Sequence, residues 1–325
     1  MKQALFGLVM LGLTAPAAAE DLVITSEVPA SHWKSDYVNQ FAEMVKDRSG
    51  GEIEVKFYPA GQLYSDKDAI AAIGTGSVQM VWPISGNLDA LDSRLGLLGL
   101  PFTLSDDLMS NPDFSADIAR LVSAQVEDRG IAILGLLRAT DAIIVMKNTP
   151  VTQVSDLAGK RIRSGGGAIA REMVAQMGAS PISLPASEMV TSMSQGVIDG
   201  VLTSPAGWKT ILADTASEGA LVPGMFLATY SIVVDATWLK GLSDTNREAV
   251  TSAARDVASE QWADAVEKDN ADLQAMIDAG KGYHLIDGPQ FDAFRAAAQP
   301  VIDAYAEAHP GTWKAYLGEA AKHAE

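Results

Sequence analysis

Short apolar runs alternate with amphipathic segments over the first third of the chain. Five elements are predicted here, with apolar residues every second position in the strands and on one face of each helix. Because strand, helix, strand, helix and strand follow within about 60 residues, the strands are expected to pair in parallel through crossover helices. The elements are strands over 22–25, 50–59 and 76–83 and helices over 36–46 and 65–74.

The same kind of pattern starts again after a helix that ends near Arg129. Two α/β halves of similar size follow from this repetition, and no Pro/Ser-rich linker separates them. We therefore expect strands, rather than a flexible tether, to join the halves. The further elements are strands over 131–137, 142–148, 160–164, 181–185 and 197–205 and helices over 168–178 and 186–196.

One long amphipathic segment begins at Ser243 and contains no glycine or proline until Gly280. A continuous helix of about 33 residues would be roughly 50 Å long and would run across both halves. Two ordinary helices with a break near 268–270 are an equally good interpretation. The sequence leaves both open.

The N-terminus resembles an export signal. Residues 1–19 contain one basic residue, an apolar run too short to span a bilayer, and small residues before a cleavage site after Ala19. The chain has no cysteine, so it has no thiol for a lipid anchor and no disulfide. We expect a periplasmic protein that begins at Glu20.

The chain is strongly acidic, with a formal net charge of -17. Removal of residues 1–19 leaves 23 basic against 41 acidic residues, or -18. This charge favours solubility and argues against nucleic acid or anionic lipid as a partner. An anionic ligand would need a local positive site.

Catalytic and cofactor motifs are weak. The four histidines form no H-E-x-x-H, no serine lies in G-x-S-x-G, and no metal-ligand spacing stands out. The glycines at 165–167 lack both the G-x-G-x-x-G pattern and a G-K-[ST] ending. We therefore expect no enzymatic activity and no cofactor.

Two arginines lie on the predicted strand 160–164, before those glycines. Arg163 is at the carboxyl end, where open α/β sheets bind ligands, and Arg161 shares its strand face. A guanidinium binds a carboxylate through two parallel hydrogen bonds. The alternative is that both are solvated residues at a strand edge, and for Arg161 this is the preferred interpretation.

Aromatic residues near strand ends are further candidates. Trp33, with the neighbouring His32, and Trp82 and Trp208 lie beside predicted strand ends or the loops that follow them. Aromatic side chains often line small-molecule clefts, although a tryptophan is more often part of the core. If these residues line a cleft, they suit an apolar or aromatic monocarboxylate.

Five stretches give the chain a wider resemblance. They are SGGEIEVKFYPAGQL (49–63), AIAAIGTGSVQM (69–80), LGLPFTLSDD (98–107), the segment 156–200 that begins DLAGKRIRS, and TWLKGLSDTNREAV (237–250). In this order the chain resembles the DctP-like substrate-binding proteins of tripartite ATP-independent periplasmic (TRAP) transporters.

The resemblance implies an α/β, two-domain periplasmic binding protein fold of type II-like architecture. Crossing strands and a long interdomain helix would join the domains, and a hinge would close them on a ligand. The expected first domain is 20–137 plus about 231–268, and the second is 138–230 plus about 269–325.

The resemblance also implies site residues. Arg163 matches the family arginine that forms a salt bridge with the ligand carboxylate. Arg138 is a candidate for a second cleft arginine, although its spacing to Arg163 is longer than in the family. Thr203 or Ser204 would replace a family asparagine as a hydroxyl donor.

Two departures from the family bear on the ligand. Glycines follow Ser164 where the family often has Val-Pro, which leaves a roomier wall. Ile84 lies near the place where sialic-acid-binding members have an acid, which disfavours a polyhydroxylated or amino sugar acid. The partners implied are a small carboxylate and a membrane permease. The alternative is a periplasmic sensor subunit on the same fold. The sequence does not identify the ligand.

Overall fold

The computed structural model describes residues 19–165 and 167–323, so the predicted signal peptide, except Ala19, and Gly166 lie outside the described residues. Eleven strands are formed by these residues. They are β1 (Glu20–Thr25), β2 (Ile53–Tyr58), β3 (Met80–Val81), β4 (Ile131–Asp141), β5 (Ile143–Met146), β6 (Arg161–Ser164), β7 (Ser180–Ser183), β8 (Gly200–Thr203), β9 (Glu218–Leu221), β10 (Leu227–Asp235) and β11 (Gly282–Leu285).

Helices connect and cover these strands. The α-helices are α1 (Trp33–Arg48), α2 (Asp66–Ala72), α3 (Asp106–Met109), α4 (Pro112–Ser123), α5 (Ala168–Gln176), α6 (Met189–Ser194), α7 (Pro205–Gly207), α8 (Ala236–Gly241), α9 (Asp244–Asp278), α10 (Gly288–Ala308) and α11 (Pro310–Lys322). Short 3-10 helices lie at Ser85–Ala90, Ser93–Gly99, Glu127–Arg129, Val154–Leu157 and Ala186–Glu188, and a π-helical turn lies at Trp208–Leu212.

The first sheet has the strand order β2-β1-β3-β10-β4. Strand β1 pairs in parallel with β2 and with β3, while β10 is antiparallel to β3 and β4. The parallel pairing predicted from the alternation of strands and helices is therefore confirmed. We call this sheet, with α1–α4 and α8, lobe I.

The second sheet has the order β11-β9-β5-β8-β6-β7. Strand β6 is parallel to β7 and β8, and β5 is antiparallel to β8 and β9. We call this sheet, with α5–α7, lobe II.

Two strand crossings join the lobes. Strand β4 ends at Asp141 in the first sheet, and after Ala142 the chain continues as β5 in the second. The chain returns through β9 to β10. Strands β5 and β10, which follow the first and the second crossing, are buried along their whole length. The mixed α/β fold with two sheets joined by strands is as predicted.

Helix α9 is continuous over 35 residues. At 1.5 Å per residue it is roughly 50 Å long. It packs on α1 and β4 of lobe I and on α7 of lobe II. At the place where a break was considered, Lys268 donates to the Tyr37 hydroxyl and to Asp264 one turn earlier. The two-helix alternative is therefore wrong, because neither a glycine nor a proline interrupts the helix.

The last two helices connect the lobes again. Helix α10 packs on α5 of lobe II, whereas α11 packs on α4 of lobe I. The Tyr316 hydroxyl of α11 donates to the backbone oxygen of Thr103. The segment 310–322 thus lies against lobe I, although we expected residues 269–325 to belong with the second domain.

Two apolar clusters fill the interior. The larger extends from lobe I through the crossing strands, and the smaller lies in lobe II around Val145, Val201 and Trp208. Among the described residues, no helix is both long enough and apolar enough to cross a membrane.

Candidate functional site

Arg163 lies at the carboxyl end of β6, as predicted, with 6% of its surface exposed. Its Nε donates to the backbone oxygen of Leu184 at 2.9 Å. Burial lowers the pKa of Arg163 to about 10, against the opposing effects of Glu27 and Tyr230. The guanidinium is therefore charged at neutral pH, and within the described residues it forms no ion pair.

Glu27 lies two residues beyond the end of β1 in lobe I. Burial raises the pKa of its carboxyl group, and the nearby charge of Asp66 raises it further. Lys34 and Arg163 act in the opposite direction. The backbone N–H of Glu27 donates to Oδ1 of Asp66 at 3.2 Å. Glu27 of lobe I is thus close enough to Arg163 of lobe II for the two charges to interact.

Lys34, on α1, is fully buried. Its Nζ donates to the backbone oxygen of Trp82 at 2.8 Å and lies 4.0 Å from the ring centroid of Tyr230. Burial lowers the pKa of Lys34, and the charges of Asp66 and Glu27 oppose that shift. Buried charges need compensation of this kind.

Aromatic rings surround these charges. Trp33 is half-buried and packs edge-on against Tyr230 of β10, with ring centroids 5.8 Å apart. Burial raises the pKa of Tyr230, so its hydroxyl is neutral. Ile84 forms an isolated antiparallel β-bridge with Tyr230. This is the residue near the place where sialic-acid-binding members have an acid.

His32 precedes α1 and serves as its N-cap. Its Nδ1 accepts a hydrogen bond from the backbone N–H of Lys34 at 3.1 Å. Burial, together with the charge of Lys34, lowers the pKa of His32 to about 3. The imidazole is therefore neutral at physiological pH and adds no positive charge to the site.

Trp82 and Trp208 are placed in the cores, against the expectation that they line a cleft. Both are fully buried. Trp82 packs against Phe41, with ring centroids 5.7 Å apart. Trp208 donates from Nε1 to the backbone oxygen of Ala216 and covers Gly219, where a Cβ atom would lie 2.3 Å from the indole ring. Neither offers a surface to a ligand.

Arg138 is also placed differently from the expectation. Its guanidinium forms a two-bond ion pair with Asp106 and a further ion pair with Asp269 of α9. Thr140 also donates to Asp269, and Gln261 exchanges two hydrogen bonds with the backbone of Arg138. The arginine thus binds the protein's own carboxylates where β4 meets α9.

Arg161 forms an ion pair with Asp199 at 2.8 Å, and both side chains are substantially exposed. Its Nε and backbone N–H also donate to that carboxylate. This placement agrees with the preferred interpretation of Arg161 as a surface residue.

Thr203 and Ser204 end β8 at the same side of lobe II as Arg163, since β6 and β8 are parallel. Both are half-buried. The Ser204 hydroxyl oxygen accepts from the N–H of Gly207 at 2.9 Å and so caps α7. Its O–H remains able to donate.

Four residues of this region escaped the sequence-based prediction: Glu27, Lys34, Asp66 and Tyr230. A signal existed for Glu27, which follows the carboxyl end of the parallel strand β1, whereas Asp66 begins α2, eight residues after β2 ends. Lys34 and Tyr230 have no such signal. Among the described residues, no group of His, Cys, Asp and Glu side chains is arranged to hold a metal ion.

Residues 24–308 match the family model of DctP, described as "Bacterial extracellular solute-binding protein, family 7". The chain belongs to this family. The match confirms the expectation of a solute-binding protein rather than an enzyme. It also confirms the DctP-like resemblance carried by the five stretches.

Curated relatives are similar over most of their length. A C4-dicarboxylate-binding periplasmic protein DctP from Rhodobacter capsulatus is 27% identical over 91% of this chain and 90% of its own. A 2,3-diketo-L-gulonate-binding periplasmic protein, YiaO, from Escherichia coli is 22% identical over 82% of this chain and 81% of its own.

Solved structures agree on the fold. A TRAP periplasmic solute-binding protein from Roseobacter denitrificans with bound β-D-glucuronate matches with a TM-score of 0.84 and 22% identity, over 92% of this chain and 98% of its own. A Bordetella pertussis extracytoplasmic solute receptor, DctP7, binding pyroglutamic acid matches with a TM-score of 0.84 and 21% identity, over 92% and 100%. The two-lobed fold of this family is therefore present.

Proposed function

We propose that this solute-binding protein captures a small organic acid between its lobes and delivers it to the membrane permease of a TRAP transporter. The observation that carries the proposal is the unpaired state of the Arg163 guanidinium. This group is charged, almost fully buried and, within the described residues, without a carboxylate partner. A ligand carboxylate supplies the missing counter-ion.

The geometry around Arg163 favours this role. The hydrogen bond from Nε to Leu184 fixes the guanidinium plane and leaves the terminal nitrogens for a carboxylate. A planar guanidinium held in this way binds a carboxylate through two parallel hydrogen bonds. Arg138 looks similar in sequence but already holds Asp106 and Asp269.

The relatives support the class of ligand. Proteins named for binding C4-dicarboxylates and a keto acid are similar over most of the chain, and structures of the same fold contain a uronate or pyroglutamic acid. All of these ligands carry a carboxylic acid group. We propose the same for this protein, with Trp33, Tyr230 and the hydroxyls of Thr203 and Ser204 around the rest of the ligand.

Location and assembly complete the proposal. Residues 1–19 act as the export signal, and the mature protein works in the periplasm with its permease. The two domains are 20–137 plus about 231–268 and 138–230 plus about 269–325, with α11 of the second packed on α4 of the first. They move about the crossing strands.

An Arg163→Ala variant tests the proposal. Thermal shift and calorimetry with succinate, D-glucuronate and pyroglutamate, within a wider screen of organic acids, identify carboxylates that bind the native protein. Loss of a buried charge-assisted pair costs about 2 to 4 kcal/mol, so we expect affinity for those ligands to fall about 30- to 1,000-fold.

Arg161→Ala is the matched control, because it removes an arginine from the same strand, and we expect its affinity to stay within about threefold of the native value. If Arg163→Ala binds the same carboxylates as tightly as the native protein does, the proposal is wrong. Absence of binding by every organic acid in the screen would also contradict it.

A further inference from the structure

Gly165, two residues after Arg163, has no backbone reason to be a glycine. Its φ lies outside the left-handed region, whereas the φ of Gly167 is +85°. Residues with a Cβ atom adopt such a φ without strain. Gly165 is also exposed, so no packed neighbour excludes a side chain. What distinguishes this glycine is therefore the space that its missing side chain leaves.

That space lies in front of the Arg163 guanidinium. A Cβ atom on Gly165 would be 3.8 Å from Nη1 and 3.8 Å from Nη2 of Arg163. Apart from the chain neighbours of Gly165, no other described atom lies within 4 Å of this position. These two nitrogens are the ones that the hydrogen bond from Nε to Leu184 leaves for a ligand. The missing side chain thus opens a space at the anion-binding end of the guanidinium.

The distances fix where this space lies relative to the guanidinium. Because the two distances are equal, the position lies in the plane that bisects the two nitrogens and stands at right angles to the guanidinium plane. The central carbon of the guanidinium, Cζ, is more than 4 Å away, so the position lies beyond the nitrogens and not over the guanidinium face. We call this position the Gly165 gap.

The shape of the anionic head group decides whether a ligand uses the Gly165 gap. A carboxylate that accepts two parallel hydrogen bonds from Arg163 lies flat in the guanidinium plane. A tetrahedral head group also places two oxygens on the two nitrogens, but its third oxygen then lies in the bisecting plane, on one side of the guanidinium plane. The Gly165 gap is in that bisecting plane, and a side chain on residue 165 would fill it.

Charge favours one kind of tetrahedral head group. A sulfonate carries one negative charge, as a carboxylate does, and the single positive charge of Arg163 balances it. A phosphonate, like a phosphate group, carries up to two negative charges near neutral pH. In a chain with a formal net charge of -17, a second buried negative charge without a counter-ion is costly.

We propose that Gly165 is a specificity-determining residue, and that Arg163 and the Gly165 gap together form a subsite for an organic sulfonate. Two sulfonate oxygens accept hydrogen bonds from Nη1 and Nη2 of Arg163, and the third oxygen occupies the gap. This inference rests on the proposed function, because it adopts Arg163 as the anion site. It extends the class of ligand from carboxylates to sulfonates.

Matched acids that differ only in the head group test the inference. The sulfonate and carboxylate pairs are isethionate and 3-hydroxypropionate, taurine and β-alanine, propane-1-sulfonate and butyrate, and benzenesulfonate and benzoate. The phosphonate of the same carbon skeleton is the third member of each set. Dissociation constants are measured by calorimetry for the native protein, Gly165→Ala and Arg163→Ala.

In at least one set, we expect the native protein to bind the sulfonate at least as tightly as the carboxylate and at least tenfold tighter than the phosphonate. Gly165→Ala should weaken binding of that sulfonate at least tenfold more than binding of the carboxylate, because the methyl group fills the gap. Arg163→Ala should weaken binding of both.

Gly241→Ala is the matched control, since Gly241 also has a φ outside the left-handed region and nothing within 4 Å of the added Cβ atom. It should leave both dissociation constants within threefold of the native values. The unfolding midpoint of ligand-free Gly165→Ala should stay within about 4 °C of the native value, which separates an effect on the subsite from an effect on the fold.

The inference is overturned if no sulfonate of the set binds the native protein, or if Gly165→Ala weakens the sulfonate and the carboxylate equally. It is also overturned if sulfonate binding persists in Arg163→Ala, because the sulfonate then binds elsewhere. In each of these cases, carboxylate binding that is lost in Arg163→Ala would leave the proposed function standing.

Discussion

Gly167 of lobe II lies so close to Gly86 of lobe I that a Cβ atom on Gly167 would be 2.8 Å from the Gly86 backbone oxygen. Beside this contact, the Asp89 carboxylate of lobe I accepts a hydrogen bond from the N–H of Ala168, the first residue of α5. An acid at a helix N-terminus is favourably placed. The lobes therefore touch where the loop after Arg163 enters α5.

Substitution of Gly167 by alanine should hold the lobes apart. The residue has a φ of +85°, and the added methyl group would meet rigid backbone. We expect stability to fall by about 1 to 3 kcal/mol from backbone strain. We also expect at least tenfold weaker ligand binding and a larger radius of gyration by small-angle X-ray scattering.

Gly159→Ala is the matched control, since Gly159 has a φ of +71° and nothing within 4 Å of the added Cβ. It should share the strain but keep the native affinity and radius. Equal effects of the two substitutions on affinity would show that the Gly86 contact does not matter for closure.

Removal of the Arg138 side chain should lower the free energy of unfolding of the ligand-free protein. Arg138→Met leaves Asp269, which is largely buried, and Asp106 without their cation. Loss of one partner of a buried ion pair costs about 3 to 5 kcal/mol. Denaturant unfolding without ligand measures this loss.

Arg161→Met removes an exposed ion pair of the same chemical kind and should cost less than about 1 kcal/mol. Should Arg138→Met prove as stable as Arg161→Met, the crossing of β4 and α9 does not depend on this ion-pair network.

Asp141, at the end of β4, should make stability depend on pH. Burial raises the pKa of its carboxyl group to about 6, with smaller contributions from Asp106 and Asp269, while Gly224 and Arg138 act in the opposite direction. Because the folded pKa lies above the ordinary value of 3.8, the folded state binds the proton more tightly than the unfolded state. This contribution is present at low pH and is lost as pH rises through about 6.

An Asp141→Asn variant removes this titration and keeps an acceptor for the N–H of Gly224. Relative to the native protein, the variant should gain up to about 3 kcal/mol on going from pH 4 to pH 8. Urea unfolding of both proteins at several pH values measures the difference. A constant difference between the two proteins over this range would mean that the Asp141 pKa is not raised.

Sequence patterns predicted most of the fold because the signals were local. The alternation in 131–137 and the helical spacing after Ala168 matched β4 and α5, apart from a few residues at the ends. The helix expected to end near Arg129 was less accurate, since α4 ends at Ser123 and only a short 3-10 turn follows. The chain after Ser123 forms the 3-10 turn Glu127–Arg129, which Gly130 ends in the left-handed conformation, instead of continuing α4.

The burial of the three candidate tryptophans could not be predicted from neighbouring residues alone. All three lie near strand ends, as the sequence indicated, but only Trp33 retains exposed surface. Whether a tryptophan faces a core or a cleft depends on what packs over it. For Trp208 that is Gly219, whose missing side chain makes room for the indole ring.

Local pattern was sufficient to establish two α/β lobes, strand crossings between them and an arginine at the carboxyl end of β6, because periodicity and strand ends are properties of neighbouring residues. Long-range packing decided which buried arginine has a carboxylate partner within the protein. Arg138 and Arg163 are both buried strand arginines, but Arg138 meets Asp269, 131 residues away, whereas Arg163 meets no carboxylate within the described residues. Glu27, after β1, and Tyr230, on β10, come from distant parts of the chain, so their placement near Arg163 arises only when the two sheets fold together.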